Sequence, residues 1–307
     1  MKKLLFLLFF ISLISFGQEE EITLETKTGN IKGSLLTPSG SEKIPVVLII
    51  AGSGPTDRNG NNPMMTNNSL KMLAIGLKKS GIASLRFDKR GVGESKNSGL
   101  QESDLRFEHY VKDVEKWIKM LKENVRFSDV IVLGHSEGSL IGMIASQKNE
   151  VKKFISVAGV GSPAGDILRQ QLKAQPQFVL NQSLPIIEKL ENGEIEENVP
   201  QMLYSLFRPS VQPYMISWFK YDPQKEIAEL DKPVLIIQGT TDIQVSVSDA
   251  DKLALANNKS QKQIIEGMNH ILKEAKADRQ KNIETYSIPD LPLKKGLIEV
   301  IVKFIKQ

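Results

Sequence analysis

Five short segments of the chain are apolar at nearly every position: Val46 to Ile50, Ile82 to Leu85, Val130 to Leu133, Phe154 to Ala158 and Val234 to Ile237. A strand with one face in water alternates apolar and polar residues, so runs without that alternation predict strands covered on both faces, as in a parallel sheet. Between them lie stretches with helical spacing, Leu70 to Lys79, Phe107 to Leu121 and Leu140 to Gln147. This alternation of strand and helix predicts a mostly parallel, doubly wound α/β sheet with its ligands at the carboxyl ends of the strands. Ahead of it, Ile22 to Thr28 and Ile31 to Thr37 flank Gly29-Asn30, a pair suited to a tight hairpin turn.

One interval breaks the rhythm. From Ser162 to Lys232 no strand-like run occurs, while apolar residues recur at helical spacing, as in Leu203, Leu206 and Phe207 or Tyr214, Met215, Trp218 and Phe219. Strand patterning resumes at Val234 and needs the first half's sheet to cover it. The expected organisation is therefore a core of residues 18–161 and 233–307 with a helical cap, 162–232, inserted between them.

Residues 1–17 form a separate segment: Lys2 and Lys3, an apolar run from Leu4 to Phe16, then Gly17 before Gln18. This is the pattern of a signal peptide, and its run is shorter than the roughly 20 residues that span a bilayer. The expectation is export to the periplasm or medium, with no stable membrane insertion after cleavage. The chain has no cysteine, which removes disulfides, thiol nucleophiles and cysteine-held metal. Its net charge of +4 arises from 40 basic and 36 acidic residues scattered along the sequence, not from a basic stripe, so nucleic acid is a poor partner.

The chemistry centres on Gly134-His135-Ser136-Glu137-Gly138, which fits Gly-x-Ser-x-Gly. Two glycines and a serine at this spacing are common by chance, and the setting decides. Here the motif directly follows one buried-type strand and directly precedes a helical run, the placement that lifts a serine hydroxyl above the sheet. A serine needs a base, and the chain has three histidines. His135 adjoins the serine and leaves the turn in another direction, and His109 lies within a helical stretch where a packing or surface role is the plainer account. His270, in Gly267-Met268-Asn269-His270 after a strand-like segment, is the base by elimination and position. The orienting acid should fall between serine and histidine in chain order, and Asp242, in Gly239-Thr240-Thr241-Asp242 after a strand, fits. An oxyanion formed at Ser136 would require two backbone N–H donors. Glu137 supplies one and the loop Ala51-Gly52-Ser53-Gly54 the other, through Ser53. No metal and no cofactor is called for.

Together with Phe87-Asp88-Lys89-Arg90-Gly91-Val92-Gly93-Glu94-Ser95, these motifs resemble the α/β-hydrolase superfamily over roughly residues 30–307. The stretch from Gly52 to Asn61 and the tail Ile288 to Leu293 are similar to a bacterial carboxylesterase-like branch near the serine aminopeptidase and dienelactone hydrolase families. The resemblance implies an α/β-hydrolase fold and a serine esterase acting on small-molecule esters, with an aminopeptidase or amidase on the same triad as the alternative and an inactive exported binding module as a third reading. Many relatives carry histidine where this chain has Ala51, so no side chain there assists the oxyanion. The 88–95 stretch is expected to be a structural turn, and Asp57 and Arg58 to form a local ion pair or to rim the pocket. An aminopeptidase would need carboxylates aimed inward. Glu188, Glu191, Glu194, Glu196 and Glu197 cluster instead around Gly193, where a solvated helix end is expected, while Phe178, Met202, Phe207, Met215, Trp218 and Phe219 should mostly pack the cap, a minority facing an acyl pocket.

Overall fold

The computed structural model describes residues 19–40 and 42–307. The expected signal peptide lies outside these residues. Strands β1 (Glu19–Thr26) and β2 (Gly29–Leu36) form the hairpin, followed by β3 (Ile44–Ile50), α1 (Ser69–Lys79), β4 (Ala83–Phe87), α2 (Phe107–Glu123), β5 (Phe127–His135), α3 (Glu137–Gln147) and β6 (Lys153–Val157). Five helices come next, α4 (Ala164–Leu172), α5 (Gln177–Glu191), α6 (Tyr204–Phe207), α7 (Gln212–Phe219) and α8 (Pro223–Ala228). The chain then returns to the sheet through β7 (Val234–Gly239), α9 (Val247–Ala256), β8 (Gln261–Ile265), α10 (Arg279–Glu284) and α11 (Leu297–Lys306).

All eight strands join one sheet in the order β1-β2-β4-β3-β5-β6-β7-β8. The hairpin is antiparallel and meets β4 antiparallel, while every pair from β4 to β8 is parallel. The continuous apolar runs now have their reason. In β3, Val46, Leu48 and Ile50 pack on one face with Val114, Trp117 and Leu121 of α2, whereas Val47 and Ile49 pack on the other with α1 and α11. Each such side chain, taken wholly out of water, contributes about 1.5–3 kcal/mol. Leu168, Ile187, Phe207 and Met215, from the helices between β6 and β7, belong to the same buried cluster as α2 and α3, so those helices share the sheet's core.

The hairpin turn differs from expectation. The ladder closes at the pair Thr26 and Gly29, which puts Lys27-Thr28 in the turn and Gly29-Asn30 in β2. Gly29 serves a different need: a Cβ there would lie 2.8 Å from Ser98 Cα, so the glycine admits the 97–98 backbone alongside the strand.

The turn from β5 into α3 is governed by the same kind of crowding. A Cβ on Gly134 would sit 2.2 Å from the Gly138 carbonyl oxygen, and one on Gly138 would sit 2.4 Å from that of Ile50 and 2.6 Å from that of Ala51. These neighbours are backbone atoms, which cannot swing aside. Gly138→Ala is therefore expected to destabilise the protein by about 3 kcal/mol or more in urea unfolding. Gly142→Ala, whose nearest neighbours are side-chain ends of Phe154 and Val132 at 3.0 Å, should lose less than about 1 kcal/mol, because alanine's helix propensity offsets the crowding. Equal losses at the two positions would contradict this account.

Candidate active site

Ser136 occupies the single-residue corner between β5 and α3 with φ 55° and ψ −124°. Positive φ is costly for a residue with a Cβ, about 1–3 kcal/mol, and it persists where the surroundings enforce it. Here they do: the Ser136 N–H donates to Val157 O at 3.0 Å, and the Ser136 carbonyl accepts from Ser139 N at 2.9 Å. Ser136 also caps α3 and so stands at the positive end of the helix dipole.

Asp242 lies in the loop after β7. One carboxylate oxygen accepts from the N–H groups of Gln244 at 2.8 Å and Val245 at 3.0 Å, and the other accepts from Gln238 Nε2 at 3.0 Å and His270 Nδ1 at 2.8 Å. The pair is enclosed, with the His270 side chain 7% and the Asp242 side chain 1% exposed. Burial alone would raise the Asp242 pKa, but His270 and the two backbone donors outweigh it and hold the carboxyl below its usual range. The imidazole therefore presents its Nδ1–H to a carboxylate and keeps Nε2 free to accept a proton.

The two loops carrying this pair are stitched together. Gly239 admits the His270 loop, since a Cβ there would lie 2.0 Å from Met268 O, and Thr240 Oγ1 accepts from Gly267 N at 2.9 Å. Asn269 accepts from Lys273 N at 2.9 Å and donates to Thr285 Oγ1 at 2.8 Å, while Asn282 of α10 donates to Thr241 O at 2.7 Å. Gln238, Asn269, Asn282 and Lys273 escaped the sequence reading because asparagine, glutamine and lysine carry no recognisable spacing. Asn269 lies within the Gly267-Met268-Asn269-His270 motif, but its side-chain bonds to Lys273 and Thr285 join residues that local pattern does not connect.

His135 does point away from its neighbour's hydroxyl. Its Nε2–H donates to the His270 carbonyl at 2.8 Å, and its ring centroid lies 4.8 Å from that of His270. Full burial, with His270 alongside, pushes its pKa down to about 4, which keeps it neutral. It thus links the corner that bears Ser136 to the loop that bears His270. His109, the third histidine, accepts from Arg106 N at 3.0 Å at the start of α2, a capping role.

The loop expected to supply the second oxyanion donor runs beside the corner: a Cβ on Gly52 would be 3.1 Å from Ser136 Cβ, and Ser53 follows at the surface. The Glu137 side chain is buried, bonded to Lys89 Nζ at 2.9 Å and to the Tyr214 hydroxyl. Arg58 is no open rim residue. It is buried, with its Nε 3.0 Å from Asp88 Oδ2, and Asp88 also accepts from Arg58 N and Glu94 N, which makes the 88–95 stretch a tied structural turn. A cavity of about 290 Å³ opens beside Gly54 and Pro55, walled by Lys89, Tyr110, Val211 and Tyr214. A larger hollow, about 610 Å³, lies on the outer face of α2 among lysines and glutamates and adjoins none of these groups. Among the described residues no cluster of histidine and carboxylate side chains could hold a metal ion.

A family model described as serine aminopeptidase, S33, matches residues 66–198. Over most of its length the chain superposes on solved α/β hydrolases. These include a ferulic-acid-bound Est1E from Butyrivibrio proteoclasticus, with TM-score 0.63, 18% identity, and 93% of this chain and 100% of that one covered. The dienelactone hydrolase of Anabaena variabilis gives TM-score 0.55 at 15% identity, covering 94% and 97%. The chain has the α/β-hydrolase fold. Esterase EstD of Thermotoga maritima is 29% identical over 239 residues, covering 76% of this chain and 54% of EstD, so the match spans about half of that relative's length. Within this fold Ser136 follows β5, and Asp242 and His270 lie in the loops beyond β7 and β8.

The neutral, enclosed His135 has a measurable consequence. In the unfolded chain it takes a proton near pH 6.5, whereas in the native protein it does so only near pH 4. Between these values the unfolded state binds more protons, so stability falls as pH drops through the window, by up to about 3 kcal/mol. His135→Gln, whose amide can still donate to the His270 carbonyl, should flatten the change in urea-unfolding free energy between pH 7 and pH 4.5. An unaltered pH dependence in that variant would contradict the assignment.

Proposed function

We propose that the protein is a serine esterase that cleaves carboxylic esters of short to medium acyl chains through an acyl-enzyme. The observation that carries this reading is the enclosed 2.8 Å bond from His270 to Asp242 at the strand edge where Ser136 is held in its strained corner. Ser136 Oγ attacks the ester carbonyl, His270 Nε2 takes its proton and passes it to the leaving alcohol, and Asp242 fixes the tautomer and stabilises the imidazolium. The N–H groups of Ser53 and Glu137 receive the oxyanion, helped by the α3 dipole. Water then repeats the sequence on the acyl-enzyme. The cavity beside Gly54, bounded by Pro55, Leu105, Tyr110 and Val211, offers an apolar wall for the acyl chain. The names of EstD and Est1E support the same choice.

The description of the matching family model favours a second reading, an aminopeptidase on the same triad. Its α-ammonium would need an uncommitted carboxylate in the pocket. Glu191 is instead paired with Arg169 and Glu196 with Lys189, and Glu188, Glu194 and Glu197 are exposed. Glu102, which does line the cavity, is already held by Arg208 and Ser210. Phe207 and Met215 are core residues, whereas Phe178 and Met202 face solvent, 54% and 55% exposed. Trp218 and Phe219 are partly buried against the same core, and none of the six lines the cavity beside Gly54.

Export forms part of the proposal, with residues 1–17 removed. Protein recovered from outside the cytoplasm should begin at Gln18 by intact mass, and retention of Met1 would contradict export by cleavage. For the chemistry, kcat/KM for p-nitrophenyl butyrate should exceed that for alanine or proline p-nitroanilide, and the reverse order would install the aminopeptidase. Asp242→Asn should lower kcat roughly 10³- to 10⁴-fold with little change in KM, because the amide favours the wrong imidazole tautomer.

A further inference from the structure

Lys89 lies in the turn after β4 and its side chain is 1% exposed, yet among the described residues its only anionic partner is the carboxylate of Glu137, itself 2% exposed. A buried ion pair is a poor source of stability, because desolvation of both charges consumes most of the attraction. Its presence beside the reacting serine therefore calls for another account. Two of the ammonium's three N–H donors are placed on oxygens, and an aromatic ring lies beside the nitrogen. One reaches the Gly52 carbonyl at 2.6 Å, one reaches Glu137 at 2.9 Å, and the nitrogen stands 4.9 Å from the centre of the Tyr110 ring.

We infer that Lys89 is a positioning residue that sets the oxyanion hole by holding the peptide of Ser53 and the side chain of Glu137 in one fixed relation. The inference rests on the esterase reading above. In a trans peptide the carbonyl of Gly52 and the N–H of Ser53 point in opposite directions. Fixing the carbonyl on Lys89 therefore aims the Ser53 N–H the other way, along a segment that passes against Ser136. Without that tie the peptide would turn easily, since glycine precedes it and Gly54 beyond Ser53 stands at φ +68° with open space around it. The second donor, the N–H of Glu137, belongs to the residue whose carboxylate Lys89 also grips. Tyr214 of α7 donates its hydroxyl to the remaining Glu137 oxygen, so a helix from between β6 and β7 closes the assembly. Burial and the nearby Glu137 raise the Tyr214 pKa well above its ordinary value, which keeps that hydroxyl a donor.

The test uses Lys89→Met and the double variant Lys89→Met/Glu137→Gln, with turnover of p-nitrophenyl butyrate expressed per site titrated by a fluorophosphonate. The single variant leaves Glu137 buried and unpaired and should unfold at lower temperature. The double variant removes that charge, so its Tm should return close to the parent's. Its kcat should nevertheless remain about 10²-fold down or more, the loss expected when one oxyanion donor is misplaced, with KM changed less than about threefold. Affinity for an alkylboronic acid, whose tetrahedral adduct carries the oxyanion, should fall in step with kcat. If kcat per titrated site and boronate affinity both recover with Tm, Lys89 is a packing residue and the inference is overturned. A parent protein that neither turns over ester nor takes the fluorophosphonate would instead remove the esterase reading itself, an outcome separate from any difference between the variants.

Discussion

Everything at the proposed site follows from how closely three stretches of backbone approach one another where β5 turns into α3. Gly134 and Gly138 have no room for a side chain, because the start of α3 presses on the end of β5 and on the carbonyls of Ile50 and Ala51. That contact leaves Ser136 as the only residue between strand and helix and forces it to positive φ. The same approach brings the 51–54 loop against the serine's Cβ, so the proposed nucleophile and the proposed oxyanion loop are set by one packing decision. The strain at Ser136 is tolerable because β5 is buried from Val130 to His135 and its neighbour β6 along its whole length.

Around this corner the protein buries charge in compensated groups. Asp242 has four hydrogen-bond donors, two of them backbone, and its carboxylate can remain ionised out of water. Arg58, paired with Asp88, anchors the segment beyond the 51–54 loop, and Lys89, paired with Glu137, holds the loop itself through the Gly52 carbonyl. Neutral His135 carries no charge into the centre but joins the serine's corner to the histidine's loop through a backbone carbonyl. Such groups fix geometry, and geometry within a fraction of an ångström is what acyl transfer demands.

Much of this was legible in sequence wherever a residue's neighbours in the chain set its environment. The buried strands announced themselves because both faces of the sheet are covered, so that Val46 to Ile50 could not alternate. Ser136, Asp242 and His270 could be proposed because Ser136 directly follows a strand, the other two lie in loops beyond strands, and chain order limits which can serve as acid and base. The hairpin turn misled because Gly29 is required by a distant segment, Asn97 and Ser98, which local pattern cannot reveal. The bonding of Lys89, Asn282 and Gln238 could not be read for the same reason. Their partners lie 48, 41 and 7 residues away, respectively, and only the folded chain brings them together.

The central claim is that Ser136 is the nucleophile, made reactive by His270. Its most direct test is to treat the folded protein with a fluorophosphonate, digest it, and locate the added mass by peptide sequencing in the parent and in His270→Ala. The account predicts one adduct, on Ser136, in the parent, and labelling slowed by orders of magnitude in the histidine variant. An adduct on any other serine, or equal labelling rates in the two proteins, would contradict it.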